Sequence, residues 1–308
     1  ATRRYGAFSP ATQKAWMLLL EGPYRQGTNG TEKSSIVAAR PALDVKKSGP
    51  NAGLEIPYDP ALIIRAQSLL LEDADKLSAS RPYRFDLVDV QRQMMTNLGQ
   101  LIHRKAAEAF RSKDREAFTL HSGRFLGMLA DMDTLLRTRS EYSFDRWLTE
   151  ARSWGETEEE KNQMERDATS LVTIWGADGD PRIFDYSWRE WAGLINGYYL
   201  PRWQKFYTML QQHLDEGTSY EEAGLPQIYG REAFRANDFY HALAEWELSY
   251  VDTYGKARIP ATEGDEVDIV KRLFKKYFKL SQEYYTDSIK LTKPSRDERT
   301  YENLGEDL

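Results

Sequence analysis

Two pairs of acidic residues stand beside tryptophan: Asp185 and Glu190 flank Trp188, and Glu245 and Glu247 flank Trp246. Two carboxylates on either side of a glycosidic bond are the machinery of glycoside hydrolysis, one protonating the leaving oxygen and the other attacking or activating water. With 48 Asp and Glu residues in the chain, such pairs are abundant and composition cannot select one. Most acidic residues on helices are simply solvated. The four histidines, His103, His121, His213 and His241, fall on four separate elements and form no ligand motif, so they read as ordinary core or surface residues and no metal site is expected. The absence of cysteine removes thiolate nucleophiles, disulfides and Cys–zinc sites. No nucleophile elbow supports a Ser/His/Asp triad. Gly176-Ala177-Asp178-Gly179-Asp180 lacks the lysine and the preceding strand of a phosphate-binding loop.

Aromatic side chains are the other chemical resource. Four of the eight tryptophans (Trp175, Trp188, Trp191, Trp203) fall between Trp175 and Tyr207, with Tyr186, Tyr198 and Tyr199 among them. Indole and phenol faces suit the C–H faces of sugar rings, and they also fill large cores. The pattern predicts a helix from about Asp185 to His213, with Trp191, Ile195 and Tyr198 on one face. Gly193 and Gly197, four apart, share one side and admit a close neighbour or ligand, each weakening the helix by about 1 kcal/mol. Pro201 removes the bond to the Gly197 carbonyl and predicts a kink. Arg202, just past it, is placed to meet a carboxylate or a ligand anion. So many locally costly choices in one stretch mark a functional or strained site.

The elements that must position these residues are helical. Ser9-Pro10, Asp59-Pro60, Asp114, Ser143, the Thr157…Glu160 capping box and Asp265 each announce a helix start. Apolar residues recur at three and four behind each of them, and no stretch alternates with period two. The expectation is all-α: a single multi-helix domain of about eight to ten helices with antiparallel, bundle-like packing. Residues 26–58, rich in Gly, Ser, Pro and Asn, read as a long loop of the functional or mobile kind, with Asn29-Gly30-Thr31 matching a glycosylation acceptor. A net charge of −6 without a basic block speaks against nucleic acid or an anionic membrane as partner. No apolar run is long enough for a membrane span. The start, Ala1-Thr2-Arg3-Arg4, has neither an initiator methionine nor an apolar leader and reads as a chain entered partway.

Several separated motifs carry a resemblance. Asp185-Tyr186, Trp191-Ala192-Gly193-Leu194 and Tyr198-Tyr199-x-Pro201-Arg202-Trp203 resemble, in order and spacing, the C-terminal helical region of the α-N-acetylglucosaminidase family, glycoside hydrolase family 89. Arg4-Tyr5-Gly6, Ala15-Trp16, Tyr83-Arg84-Phe85-Asp86-Leu87-Val88-Asp89, Trp147-Leu148 and Trp175-Gly176 extend the likeness over residues 3–280.

What the resemblance implies is partly negative. In such enzymes the two catalytic glutamates sit on a (β/α)8 barrel, so both carboxylate pairs above are withdrawn as catalytic candidates. The expectation is a helical C-terminal domain over residues 1–286 with a polar tail, 287–308, packing on a barrel encoded upstream. Retaining hydrolysis of a terminal α-linked N-acetylglucosamine, with no metal or organic cofactor, would belong to the whole enzyme. Its location would be outside the cytoplasm: secreted, periplasmic or lysosomal. Tyr186, Trp191, Tyr198, Trp203 and Arg202 are expected at or just behind the barrel-facing surface, binding the sugar or supporting a residue that does. That surface should carry an apolar patch above roughly 400 Å². A stand-alone carbohydrate-binding or helical scaffold module, or a toroid-type helical glycosidase with its own carboxylates, are the alternatives.

Overall fold

A computed structural model describes residues 1–25, 34–49, 52–175, 184–220, 222, 237–253, 255 and 264–285. The loop 176–183, the acceptor pattern at 29–31 and the tail 287–308 lie outside the described residues.

Helices make the architecture. Nine α-helices of nine residues or more are present among the described residues: α2 Pro10–Glu21, α3 Ala61–Glu72, α5 Arg81–Arg111, α6 Arg115–Leu136, α7 Phe144–Arg152, α8 Glu158–Leu171, α9 Leu200–Glu216, α10 Asp238–Asp252 and α11 Glu266–Tyr284. Two single turns, α1 Thr2–Tyr5 and α4 Ala74–Leu77, complete the set. Capping residues start them as their chemistry requires: Ser9 accepts from Thr12 N, Asp114 from Ala117 N, Ser143 from Arg146 N, and Thr157 and Glu160 form the full capping box. The one sheet among the described residues is a two-residue antiparallel pair, Lys47–Ser48 with Ala52–Gly53.

The long helices α5 and α6, joined by the three residues 112–114, pack as a hairpin at the centre. Its seam is made of Leu98, Ile102, Phe125, Leu129 and Met132, all buried. Around that hairpin, α2 packs on α3, α11 on α5, α9 on α6, and α7 on α8. The all-α expectation holds.

Two local readings need correction. The stretch read as a long loop is, where described, part of the core: Ile36, Val37, Ala38, Ala39 and Ala42 are almost inaccessible to solvent. It has no helical or strand ladder to satisfy its carbonyls, so side chains do it. Trp203 Nε1 donates to Val37 O (3.3 Å), Arg202 Nη2 to Ala38 O (2.8 Å) and Tyr240 Oη to Pro41 O (2.9 Å). A segment without periodicity gives no burial signal, which is why the sequence reads it only as a long functional or mobile loop.

The second correction concerns the central helix. It does not start at Asp185. Residues 184–191 are turns and extended chain, and the helix opens at Leu194. The cap comes from elsewhere in the chain: Asp133 Oδ1, on α6, accepts from Gly193 N (2.7 Å) and Asn196 N (3.1 Å). Gly193 takes φ +86° to enter it, a conformation a side chain would strain. Pro201 is accommodated by a π-helical turn, Ile195–Tyr199, with Leu200 N donating to Ile195 O before α9 begins.

Candidate functional site

Arg202 lies at the heart of the aromatic stretch and is fully buried. Pro201 and the π turn set the rotation of α9 that points it inward. Its Nη1 meets Asp185 Oδ2 (3.0 Å) and Glu247 Oε1 (3.1 Å). Its guanidinium lies 4.4 Å from the Tyr198 ring centroid and 5.2 Å from that of Tyr199. Glu247, on α10, also accepts from Arg40 Nη2 (3.0 Å), and Arg40 rests against the Phe184 ring at 4.6 Å. Two cations and two carboxylates thus balance inside the domain, tying together the buried 34–43 segment, the Phe184–Asp185 turn, α9 and α10. Burial pushes the Asp185 carboxyl up to about 6, against the opposing pull of Arg202.

The acidic pairs of the sequence dissolve in this lattice. Glu190 is buried apart from Asp185, where it accepts from Arg92, Ser35 Oγ and Thr96 Oγ1. Glu247 is buried while Glu245 points out beside His241 (3.6 Å). Asp185 and Glu247, one from each pair, do meet, but across Arg202, with Arg40 as the second balancing cation. Neither pair faces an open cleft from two sides as acid and nucleophile must.

Three of the five sequence-derived site residues are core. Trp203 is buried, with Phe125 and His103 edge-on to it at 4.7 and 4.8 Å. Tyr198 is buried and stacks on Trp246 at 5.7 Å. Gly197 makes room for the Tyr250 hydroxyl, which a Cβ there would approach to 3.1 Å, so its neighbour is a core side chain. Trp191 is half-buried against Trp147 (5.7 Å), with the Arg189 guanidinium 5.9 Å from its ring.

Only Tyr186 among the five is well exposed, at 45 %. Its ring lies 4.8 Å from that of Trp175, tilted by 53°. Of the three non-glycine residues with positive φ among the described residues, two bracket this pair: Trp175 (+41°) and Asp185 (+53°). Strain of this kind persists only where surroundings over-determine it, and it gathers at functional sites. Trp175 was not among the sequence candidates. Its partner is eleven positions away across a Gly/Asp/Pro stretch that breaks any helical periodicity between them.

A second polar and aromatic face lies along α5. Arg4 grips Asp86 with two 2.6 Å bonds, Tyr5 Oη donates to Asp86 (2.8 Å), and Trp16, bonded to Tyr5 Oη, stacks on the exposed Tyr24 at 5.9 Å. Arg92 joins Asp89 to Glu190, and Tyr142 Oη donates to Asp89 (2.7 Å). A separate cavity of about 690 Å³ between the ends of α5, α6 and α9 includes none of the five residues. Its Arg111 is paired with Asp44, and Arg115 is spent on the Leu214 and Asp215 carbonyls.

His103, beside Trp203, is buried with Nδ1 2.8 Å from Tyr207 Oη. Desolvation lowers it to about 4, so the fold holds it neutral. The stability this represents is present above its unfolded value near 6.5 and is lost as pH falls towards 4. The stability gap between wild type and His103→Gln should therefore shrink by about 2 kcal/mol between pH 7 and pH 5, read by urea unfolding at both.

A helical domain with a sealed charge lattice beside a partly exposed aromatic pair is of a recognisable class. The chain belongs to the family of helical glycoside hydrolase domains described as "Alpha-N-acetylglucosaminidase (NAGLU) C-terminal domain", whose sequence model matches residues 1–276. Human alpha-N-acetylglucosaminidase is 31 % identical over 284 residues, covering 90 % of this chain and 35 % of that protein. A family 89 glycoside hydrolase from Clostridium perfringens in complex with PUGNAc shares the fold with a TM-score of 0.77 and 25 % identity, over 90 % of this chain and 30 % of that one. CpGH89 from the same organism, in complex with its substrate GlcNAc-alpha-1,4-galactose, gives 0.78 and 25 %, over 92 % and 31 %. The chain spans about a third of the length of these relatives. No described helix is long and apolar enough to cross a membrane.

Proposed function

We propose that the chain is the C-terminal helical domain of a retaining α-N-acetylglucosaminidase, packing on a (β/α)8 barrel that precedes it and completing the pocket for a terminal α-linked N-acetylglucosamine. The observation that carries this reading is the Trp175–Tyr186 pair, half-buried at Trp175 and exposed at Tyr186, held by two strained backbone positions above a charge lattice in which the buried carboxylates are bridged by arginine. Tyr186 meets the sugar. Trp191 stands at the edge, and Tyr198, Arg202 and Trp203 support from behind. The catalytic glutamates, and the whole of the chemistry, belong to the barrel, and no metal or organic cofactor is required. The domain runs to about residue 286, followed by the tail 287–308.

The docking face for the barrel is the outer side of α2. Met17, Leu20 and, just past the helix end, Tyr24 recur at three and four, and all are exposed, as is Phe8. Apolar side chains gathered in this way suit a domain interface. The family relationship supports a location outside the cytoplasm.

The test is an assay of the chain alone on a chromogenic α-N-acetylglucosaminide. No turnover is expected, and turnover should return in the polypeptide that includes the barrel. Turnover by the chain alone, abolished by replacing one of its acidic residues, would make it a self-sufficient helical glycosidase. Low-millimolar binding of N-acetylglucosamine without the barrel would make it a carbohydrate-binding module.

A further inference from the structure

Asp185 is an expensive residue. It sits at φ +53°, in the left-handed region that is uncommon for any residue but glycine, although Asp and Asn enter it more readily than other side chains. Its carboxyl is buried; Oδ2 takes one bond from Arg202, and Oδ1 has no hydrogen-bond partner among the described residues. A buried carboxylate oxygen left bare costs stability. Its backbone is as tightly held: Asp185 N donates to Thr173 O (2.7 Å), closing the neck of the segment between Thr173 and Asp185, and Asp185 O accepts from Trp188 N (3.2 Å). On one side of that neck is Trp175, whose N–H is spent on Ser170 O (2.8 Å); on the other is Tyr186. The two rings that touch are thus carried by two chain segments whose junction Asp185 makes.

We propose that the Asp185–Arg202 ion pair is a clasp that positions the Trp175–Tyr186 platform, holding the neck so that the two rings stand preformed for a pyranose. Asp185 is a positioning residue in this account and touches no sugar. The inference rests on the pocket reading above for the identity of the ligand, and on geometry alone for the clasp. Preformed rings spare the ordering cost that a mobile loop would charge against binding. The clasp is firm because Arg202 is fixed at its other contacts by Glu247, by Ala38 O and by the Tyr198 and Tyr199 rings.

The charged and titratable groups around the carboxyl are Arg202, Tyr198 and Tyr199 from the π turn and α9, Glu247 from α10, and Arg40 from the buried segment. With burial raising Asp185 to about 6, its carboxyl is ionised at pH 7 and largely protonated at pH 5, while Arg202 stays charged throughout.

The chain labelled with 5-fluorotryptophan tests the clasp, the Trp175 signal being assigned from Trp175→Phe. In wild type that signal should titrate with a midpoint near 6. In Asp185→Asn, which tolerates the left-handed turn, it should be displaced and flat with pH. A Trp175 signal identical in wild type and Asp185→Asn, or titrating equally in both, overturns the clasp. Asp185→Gly, which keeps the turn and removes the carboxylate, should raise KM for an α-N-acetylglucosaminide about fivefold in the polypeptide with the barrel, leaving kcat within about twofold. If that variant does not fold, Asp185→Asn is read in the same way at pH 7. Unchanged KM alongside a raised KM for Tyr186→Ala also overturns the clasp. Unchanged KM in Tyr186→Ala itself sinks the pocket reading instead, while the fluorine result still decides the clasp.

Discussion

Arg202→Ala should destabilise the domain by about 3–5 kcal/mol, a large share of the 5–15 kcal/mol typical of a folded domain. The reason is what stays behind. Asp185 and Glu247 would remain buried with Arg40 as the nearest cation, and Ala38 O would lose its donor. The Tyr198 and Tyr199 rings would lose the cation against them. A cavity the size of the side chain beyond Cβ adds to the loss. Arg202→Lys should restore only part of it. An ammonium is a single point of charge and cannot reach two carboxylates and a carbonyl as a planar fork does. Urea unfolding of the two variants against wild type measures both effects. A loss below about 1 kcal/mol for Arg202→Ala would mean that solvent reaches the lattice and screens it.

The same lattice explains how much of the molecule could be read in advance. Helix starts were legible because caps act locally: Ser9, Asp114 and Thr157 with Glu160 sit within three residues of the N–H groups they satisfy. The start at Leu194 was not legible, because the cap on the preceding Gly193 N is Asp133, sixty positions before Gly193 on another helix. The buried segment around Val37 and Ala38 was hidden for a related reason. Its carbonyls are served by Arg202 and Trp203, so the signal for its burial lay in the Pro201-Arg202-Trp203 motif. That motif was singled out as a pocket candidate, and its arginine and tryptophan are donors to a buried chain. The acidic candidates fared likewise. Proximity to tryptophan suggested pairs close in sequence, while folding paired Asp185 with Glu247 through a cation between them. Tyr186 was legible as a candidate, and Trp175 was not, because a ring contact across a loop has no period.

The second large effect is on binding, and it bears on the central claim that this domain lends an aromatic wall to a sugar pocket. Tyr186 is exposed, lies against the Trp175 ring, and makes no side-chain hydrogen bond among the described residues, unlike Arg202 and Trp203. Its loss should therefore cost ligand affinity with little cost in stability. Removing one stacked ring that contacts ground state and transition state alike raises KM and spares kcat. A contact of about 1.4 kcal/mol corresponds to a tenfold change. Steady-state kinetics of Tyr186→Ala, in the polypeptide that carries the barrel, is the most direct measurement. The account predicts KM for an α-N-acetylglucosaminide raised about tenfold, with kcat within about threefold of wild type and the unfolding midpoint unchanged. KM within about twofold of wild type would contradict it, and would leave the helical domain as packing for the barrel with no part in the pocket.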